Sequence, residues 1–278
     1  MRPTLAAASV LALTVAVQAV AQTAVRLTPE QQRAFLTDAK VIDSRPAGKG
    51  ITGSLRLTLS DGVVTHDAGF QSIDDRLSPL ERAQGKKRAG EVNFVDSYKY
   101  NIAAYEIARL VGVDGMMPVT VERRWRNQTG SLSWWVDDVL MDEGDREKSN
   151  TRPPDSLAFS RQRQTMVIFA ELLRDMDRNK GNIIYTKDWR VIMIDFSRAF
   201  RLDHALRYPD TVQQCDRMFY QKLQTLTEAD IRRVAGNYLT SKEIEGVMAR
   251  RELLVERIDR LIRERGESNV LYDLISGM

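Results

Sequence analysis

Between Leu55 and Phe70 the chain alternates. Leu55, Leu57 and Leu59 face one way, Arg56 and Thr58 the other, Asp61-Gly62 supplies a turn, and Val63 to Phe70 runs back as a partner strand. The period then lengthens from two to between three and four. From Ser97 to Val111, Ala104, Ile107, Ala108 and Val111 recur at helical spacing, Ala103 and Leu110 widen the stripe, and Gly112 stands at the stop. A second pair of strands, Pro118 to Arg123 and Ser131 to Val136, is predicted around Asn127-Gln128-Thr129-Gly130. The front half therefore reads as strands interrupted by one helix.

Polar punctuation from Lys148 to Pro154 marks a boundary, and helical periods dominate beyond it. Leu157 to Arg174 places Met166, Phe169, Leu172 and Leu173 on one side. Thr240-Ser241-Lys242-Glu243 is a capping box opening a long helix through Arg265, with Ile244, Val247, Met248, Leu254, Ile258 and Leu261 in its stripe. One segment breaks the pattern: Ile183 to Tyr185 and Val191 to Ile194 read as a short hairpin set among helices. No repeat of about 20–50 residues is visible.

Met1-Arg2-Pro3-Thr4 is followed by an apolar run that ends in Ala19-Val20-Ala21, the anatomy of a secretory signal peptide cleaved after Ala21. The expectation is export to a periplasm or the cell exterior, with no later stretch apolar enough to span a bilayer. The 41 basic and 38 acidic residues leave a net charge of +3, without the footprint of a nucleic-acid binder. A single cysteine, Cys215, excludes a disulfide framework. Two histidines, His66 and His204, leave little scope for a His/Cys zinc site or a Ser-His-Asp triad. Chemistry is expected to run on carboxylates.

Those carboxylates gather at the embedded hairpin. Asn182 precedes its first strand and Asp195 follows its second, and antiparallel neighbours lie about 4.7–5.5 Å apart, so their oxygens can share one hard cation. Asp177 stands five residues before Asn182 on the loop entering the hairpin. This is the spacing phosphoryl transfer uses, D-x-x-x-x-N and then a metal-binding Asp. Asp195 and Asn182 are the expected ligands of Mg or Mn, and Asp177 the group that orients an acceptor hydroxyl and takes its proton. Two plainer readings stand beside it: Asp and Asn suit turns and caps, and Asp175, Asp177 and Asn179 fit positions 1, 3 and 5 of a calcium loop. The calcium loop fails at Lys180 and Thr186, where it needs Gly and Glu.

Upstream, Gly48-Lys49-Gly50-Ile51-Thr52-Gly53 precedes the first strand pair, and its Gly48, Lys49, Gly50 and Gly53 are candidate nucleotide-binding residues. Asp177 to Asn182, together with Ile194-Asp195-Phe196-Ser197-Arg198-Ala199-Phe200, resembles the atypical branch of the kinase superfamily. The likeness is to phosphatidylinositol 3- and 4-kinases, HipA-type kinases and the secretory-pathway casein-kinase-like family, and it spans about Val41 to Phe200. The last family is also similar at Asn101-Ile102-Ala103-Ala104-Tyr105 and the following Met117-Pro118-Val119.

The resemblance implies an α+β, bilobal protein-kinase-like fold. After the signal peptide (1–21) and an N-terminal segment (22–40), a strand-rich N-lobe with one helix would span 41–147 and a mainly helical C-lobe 148–278. It implies ATP or another nucleotide as ligand and an unidentified protein or small-molecule hydroxyl as acceptor.

Departures from the family pattern are specific. Where these families carry a third-strand lysine this chain has Gln71, and where the helix carries its partner glutamate it has Asn101; the two are read either as further nucleotide-binding residues or as no more than an exposed strand residue and a helix-face amide. Asn179 replaces a histidine and Ser197 a glycine. The neutral pair leaves two readings, a pseudokinase or a cation relocated to Lys49. Trp134 and Trp135, before Asp137 and Asp138, fall where such a fold joins its lobes and would edge an adenine pocket, with at least one of the two expected to be core instead. Arg198 and Arg201 read as phosphate ligands or, more commonly for arginine, as solvated side chains.

Overall fold

The computed structural model describes residues 27–48, 54–77, 80–81, 84, 86 and 94–274. Of the glycine-rich candidates only Gly48 falls within this range. Lys49, Gly50 and Gly53, and the signal-peptide reading over 1–21, lie outside the described residues.

Helix α1 (Pro29–Asp38) opens with a capping box in which Thr28 N donates to Gln31 Oε1 at 2.8 Å and Gln31 N donates to Thr28 Oγ1 at 3.3 Å. Strands β1 (Lys40–Pro46), β2 (Leu55–Ser60) and β3 (Thr65–Gln71) follow, then the short β4 (Asp74–Arg76) and β5 (Val95–Ser97) and helix α2 (Tyr98–Val111). Strands β6 (Thr120–Trp125) and β7 (Gln128–Trp134) complete an antiparallel five-stranded sheet of order β1-β2-β3-β7-β6.

Two turns differ from expectation. Asp61 Oδ1 accepts from both Val63 N and Val64 N, at 2.8 and 2.7 Å, so an Asx turn absorbs these residues and β3 begins only at Thr65. The second hairpin turns at Arg126-Asn127, φ 44° and 63°, with Trp125 paired to Gln128. Two consecutive left-handed residues match the strand twist, so the tight turn wins over the longer loop expected at 127–130.

Register sorts the sheet into two faces. Leu57, Leu59, Ala68, Phe70 and Leu132 point to one, where Phe35 of α1 meets Trp134 edge-on with centroids 5.6 Å apart. Gly69, Gln71, Ser131 and Ser133 share the other face, which receives α2. Eleven of the fourteen α2 residues are buried, because later helices close its outer side.

Past the linker at 135–138, β8 (Val139–Asp142) joins β9 (Ile183–Thr186) and β10 (Val191–Met193) in a small antiparallel sheet, with α3 (Glu143–Ser149) and α4 (Ser156–Leu173) between β8 and β9. The remainder is helical: α5 (Arg217–Thr225), α6 (Glu228–Ala235), the long α7 (Ser241–Arg265) and α8 (Glu267–Val270), with β11 (Cys215–Asp216) and β12 (Leu271–Tyr272) as a short parallel bridge. The Thr240–Glu243 capping box starts α7 as its sequence requires.

Arg250, with no exposed surface, fixes α7 to the chain beyond Asp195. It donates from Nε to Leu172 O at 2.9 Å and from Nη1 to Arg201 O at 3.1 Å. Burial, reinforced by Arg174, brings its pKa down to about 10, so it remains a cation at neutral pH. Among the described residues no helix is long and apolar enough to cross a membrane.

Candidate active site

Helix α4 ends on Arg174 in the left-handed region, φ 51°, which turns the chain sharply into Asp175. Asp175 Oδ1 accepts from Asp177 N at 3.0 Å and so sets the course of the loop. Asn179 then does two things: its Oδ1 accepts from Gly181 N at 2.8 Å, capping a 3-10 turn over Lys180–Asn182, and its Nδ2 donates to Asp177 Oδ1 at 2.9 Å. The Asn179 amide thus orients the Asp177 carboxylate, which is 35% exposed. Asn182 Nδ2 donates back to Asp177 O at 2.8 Å.

Arg178 ties this loop to Asp195. Its Nη1 donates to Asn182 O at 2.8 Å and Ile194 O at 2.6 Å, and its guanidinium lies 4.1 Å from the Phe196 ring centroid. Its Nη2 stands 2.5 Å from Asp175 Oδ2, with side chains 9% and 0% exposed; this contact is one of charge and not of aligned hydrogen bonding. Asp175 is therefore committed to Arg178 and the loop backbone, which removes position 1 of the calcium-loop reading. Asp195 adopts φ 54°, a strained conformation for a residue with a side chain, and accepts from Ser197 N at 3.2 Å.

Gln71 and Asn101 do meet. Asn101 Nδ2 donates to Gln71 Oε1 at 2.5 Å, and Asn101 Oδ1 accepts from Phe196 N at 2.7 Å. One buried amide thus joins β3, α2 and the segment after Asp195, and the neutral pair keeps the mechanical link that a charged pair would make. Arg201 is 5% exposed, which excludes the solvated reading; Arg198 reaches to 4.0 Å from Asp177 Oδ2.

Sequence reasoning missed Asp96. This β5 residue has a buried Oδ1 without a hydrogen-bond partner. Its pKa is raised chiefly by burial, and further by the negative charges of Asp195 and Asp177, against the opposing effects of Ser197 and Arg198. Only the fold brings residue 96 to residues 177 and 195, and no local motif announces it.

The orphaned Asp96 oxygen lies within electrostatic reach of Asp177 and Asp195, and carboxylate and amide oxygens are the donors a hard divalent cation takes. Among the described residues no group of three His, Cys, Asp or Glu side chains is placed to hold a metal ion.

No protein-family profile matches the sequence, and no curated protein matches it either. A solved structure of hydra Fam20 with sugar superposes with a TM-score of 0.65 over 90% of this chain and 93% of its own, at 14% identity. The fold is kinase-like. A Helicobacter pylori proinflammatory kinase, CtkA, gives a TM-score of 0.49 at 11% identity over 84% of this chain and 98% of its own, too distant to carry weight.

Within the kinase-like fold the two adjacent tryptophans part company. Trp134 turns to the outer sheet face, stacked on His66 at 3.6 Å between centroids, while His66 Nε2 lies 3.0 Å from Asp137. Trp135 turns inward, lying against Gly69 and under the Arg56 guanidinium.

Proposed function

We propose that this chain is an exported, atypical kinase-like protein that binds a phosphate donor with Mg or Mn and transfers phosphate to a protein or small-molecule hydroxyl. The observation that supports the reading is the bonding of Arg178 to the carbonyls of Asn182 and Ile194, with Asn182 donating to Asp177 O, which ties the Asp177 loop to the strand end before Asp195. Asn182 and Asp195 would hold the cation, whose chemistry is to offset charge on the transferred group.

Asp177, aimed by Asn179, would accept the proton of the acceptor hydroxyl as that oxygen bonds to phosphorus and the donor's bridging P–O bond breaks. Gln71 and Asn101 supply no positive charge, so the metal, with Lys49 as the candidate cation that the glycine-rich sequence offers, would carry more of the phosphate charge. ATP or another nucleotide is one donor class. Export from a cytoplasm leaves room for others.

Donor-dependent stabilisation tests this reading. At about 100 times Kd a ligand contributes about 2.7 kcal/mol, or about 5–10 °C in Tm for a chain of this size. The expected result is such a rise with Mg or Mn plus donor in the native protein and its loss in Asp195→Ala. No rise with any divalent cation and phosphate donor would overturn it.

The neutral Gln71–Asn101 pair favours a second reading, a pseudokinase that binds without turnover. Donor binding with no phosphate transfer, or transfer unaffected by Asp177→Asn, would select it.

A further inference from the structure

The sheet face on which Gln71 meets Asn101 continues along β3 to Gly69 and Asp67, in steps of about 7 Å. Arg56 stands opposite Gly69 on β2, and Ser133 opposite it on β7. With no side chain at Gly69 and a short one at Ser133, this stretch would be an open, flat bay. A nucleotide whose phosphates lay between Gln71 and Asp195 would run its sugar and base along this same face toward the linker.

The bay is already filled. A Cβ on Gly69 would meet the Trp135 ring at 4.0 Å, and the Arg56 guanidinium carbon lies 4.2 Å from that ring's centroid. Trp135 is held by its backbone N–H, which donates to Asp67 O at 3.1 Å. Arg56 is held by the Asp67 carboxylate, at 2.6 Å from both Nε and Nη2, and Asp67 also accepts from Thr58 at 2.6 Å and Arg45 at 2.8 Å. Burial pushes the Asp67 pKa up, but Thr58, Arg56 and Arg45 more than offset it and hold the carboxyl below its usual range. The latch is charged at neutral pH. A bare indole would be a platform for a purine, because bases stack on aromatic rings. An indole capped by a latched guanidinium is a platform in use.

We propose that the Trp135–Arg56 stack holds the base-binding face of the donor site closed, so that the protein selects its donor by the phosphate–metal end and binds a base-free polyphosphate as well as a purine nucleotide. The inference rests on the donor-site reading above and narrows its substrate class.

Calorimetry with Mn·tripolyphosphate and Mn·ATP on the native protein, Arg56→Ala and Asp67→Asn tests it, with circular dichroism to check folding. The expected result is that the native protein binds the two ligands within about three-fold of each other. Either variant, by unlatching the stack, should bind ATP about ten-fold tighter and leave tripolyphosphate binding unchanged. The Asp67→Asn variant keeps Arg56 and so serves if Arg56→Ala fails to fold. A native protein that prefers ATP ten-fold or more, or a folded variant with unchanged ATP affinity, overturns the closed-face inference and leaves the donor site standing. Binding of neither ligand to any of the three proteins overturns the donor site itself.

Discussion

Arg178→Met is the most informative single change in the loop. It preserves the stem length, but it leaves the Asp175 carboxylate, fully buried, without its counter-charge, and the carbonyls of Asn182 and Ile194 without their donor. Removing one partner of a buried ion pair costs about 3–5 kcal/mol, because the remaining charge stays desolvated. For a chain of this size, with about 2–4 °C per kcal/mol, Tm should fall by about 6–20 °C.

Adding Asp175→Asn to Arg178→Met neutralises the stranded charge and should return about 1–3 kcal/mol, since Asn still accepts from Asp177 N. Urea unfolding followed by circular dichroism on the native protein, both single variants and the double variant closes the cycle. A loss below about 1 kcal/mol for Arg178→Met, the range of exposed pairs, would refute the claim that this arginine holds the loop.

Other positions give separate tests. Asn101→Leu leaves Phe196 N and Gln71 without their partner, so it should destabilise the fold by about 1–3 kcal/mol per stranded group and weaken donor binding, both measurable in one thermal titration. A Cβ at Gly130 would overlap the Gln71 carbonyl and stand 2.8 Å from the Phe70 ring, so Gly130→Ala should cost about 1–3 kcal/mol in urea unfolding; a neutral result would contradict the packing. Burial pushes the Glu143 pKa up, but hydrogen bonds from Arg146 and Tyr185 and the charge of Arg163 more than offset it and hold the carboxyl below its usual range. A lowered folded pKa gives stability that is present above the unfolded value of about 4.3 and fades as pH falls through the folded one. Glu143→Gln should therefore be less stable by about 1.5–3 kcal/mol at pH 7, with the gap closing in acid; a gap independent of pH would exclude the linkage.

Local signals carried much of this molecule. The Leu55–Leu59 alternation, the α2 stripe, the Thr240–Glu243 capping box and the hairpin between Asn182 and Asp195 each declare themselves within a few residues, and each is present. Strand β1 does not, because it is a polar edge strand exposed at most positions and so has no two-residue period to read. Helix α1 shows only a capping box, its buried residues being Phe35 and Leu36.

Near the candidate site, the position of Asn182 and Asp195 at the two ends of a hairpin was legible because two short apolar runs flank a polar turn. Asp96 and the reach of Arg178 were not, since their partners lie far along the chain. The two tryptophans show the same limit: adjacent residues at the end of a strand face opposite ways, and only register says which one shares the face of Gly69 and Arg56.

The central claim, that Asn182 and Asp195 hold a divalent cation for a phosphate donor while Asp177 serves the acceptor, is tested most directly by electron paramagnetic resonance of Mn²⁺. In a titration with donor present, the native protein should bind one Mn²⁺ per chain, Asp195→Ala should weaken that binding at least ten-fold, and Asp177→Asn should leave it intact. Equal Mn²⁺ binding by the native protein and Asp195→Ala would contradict the account.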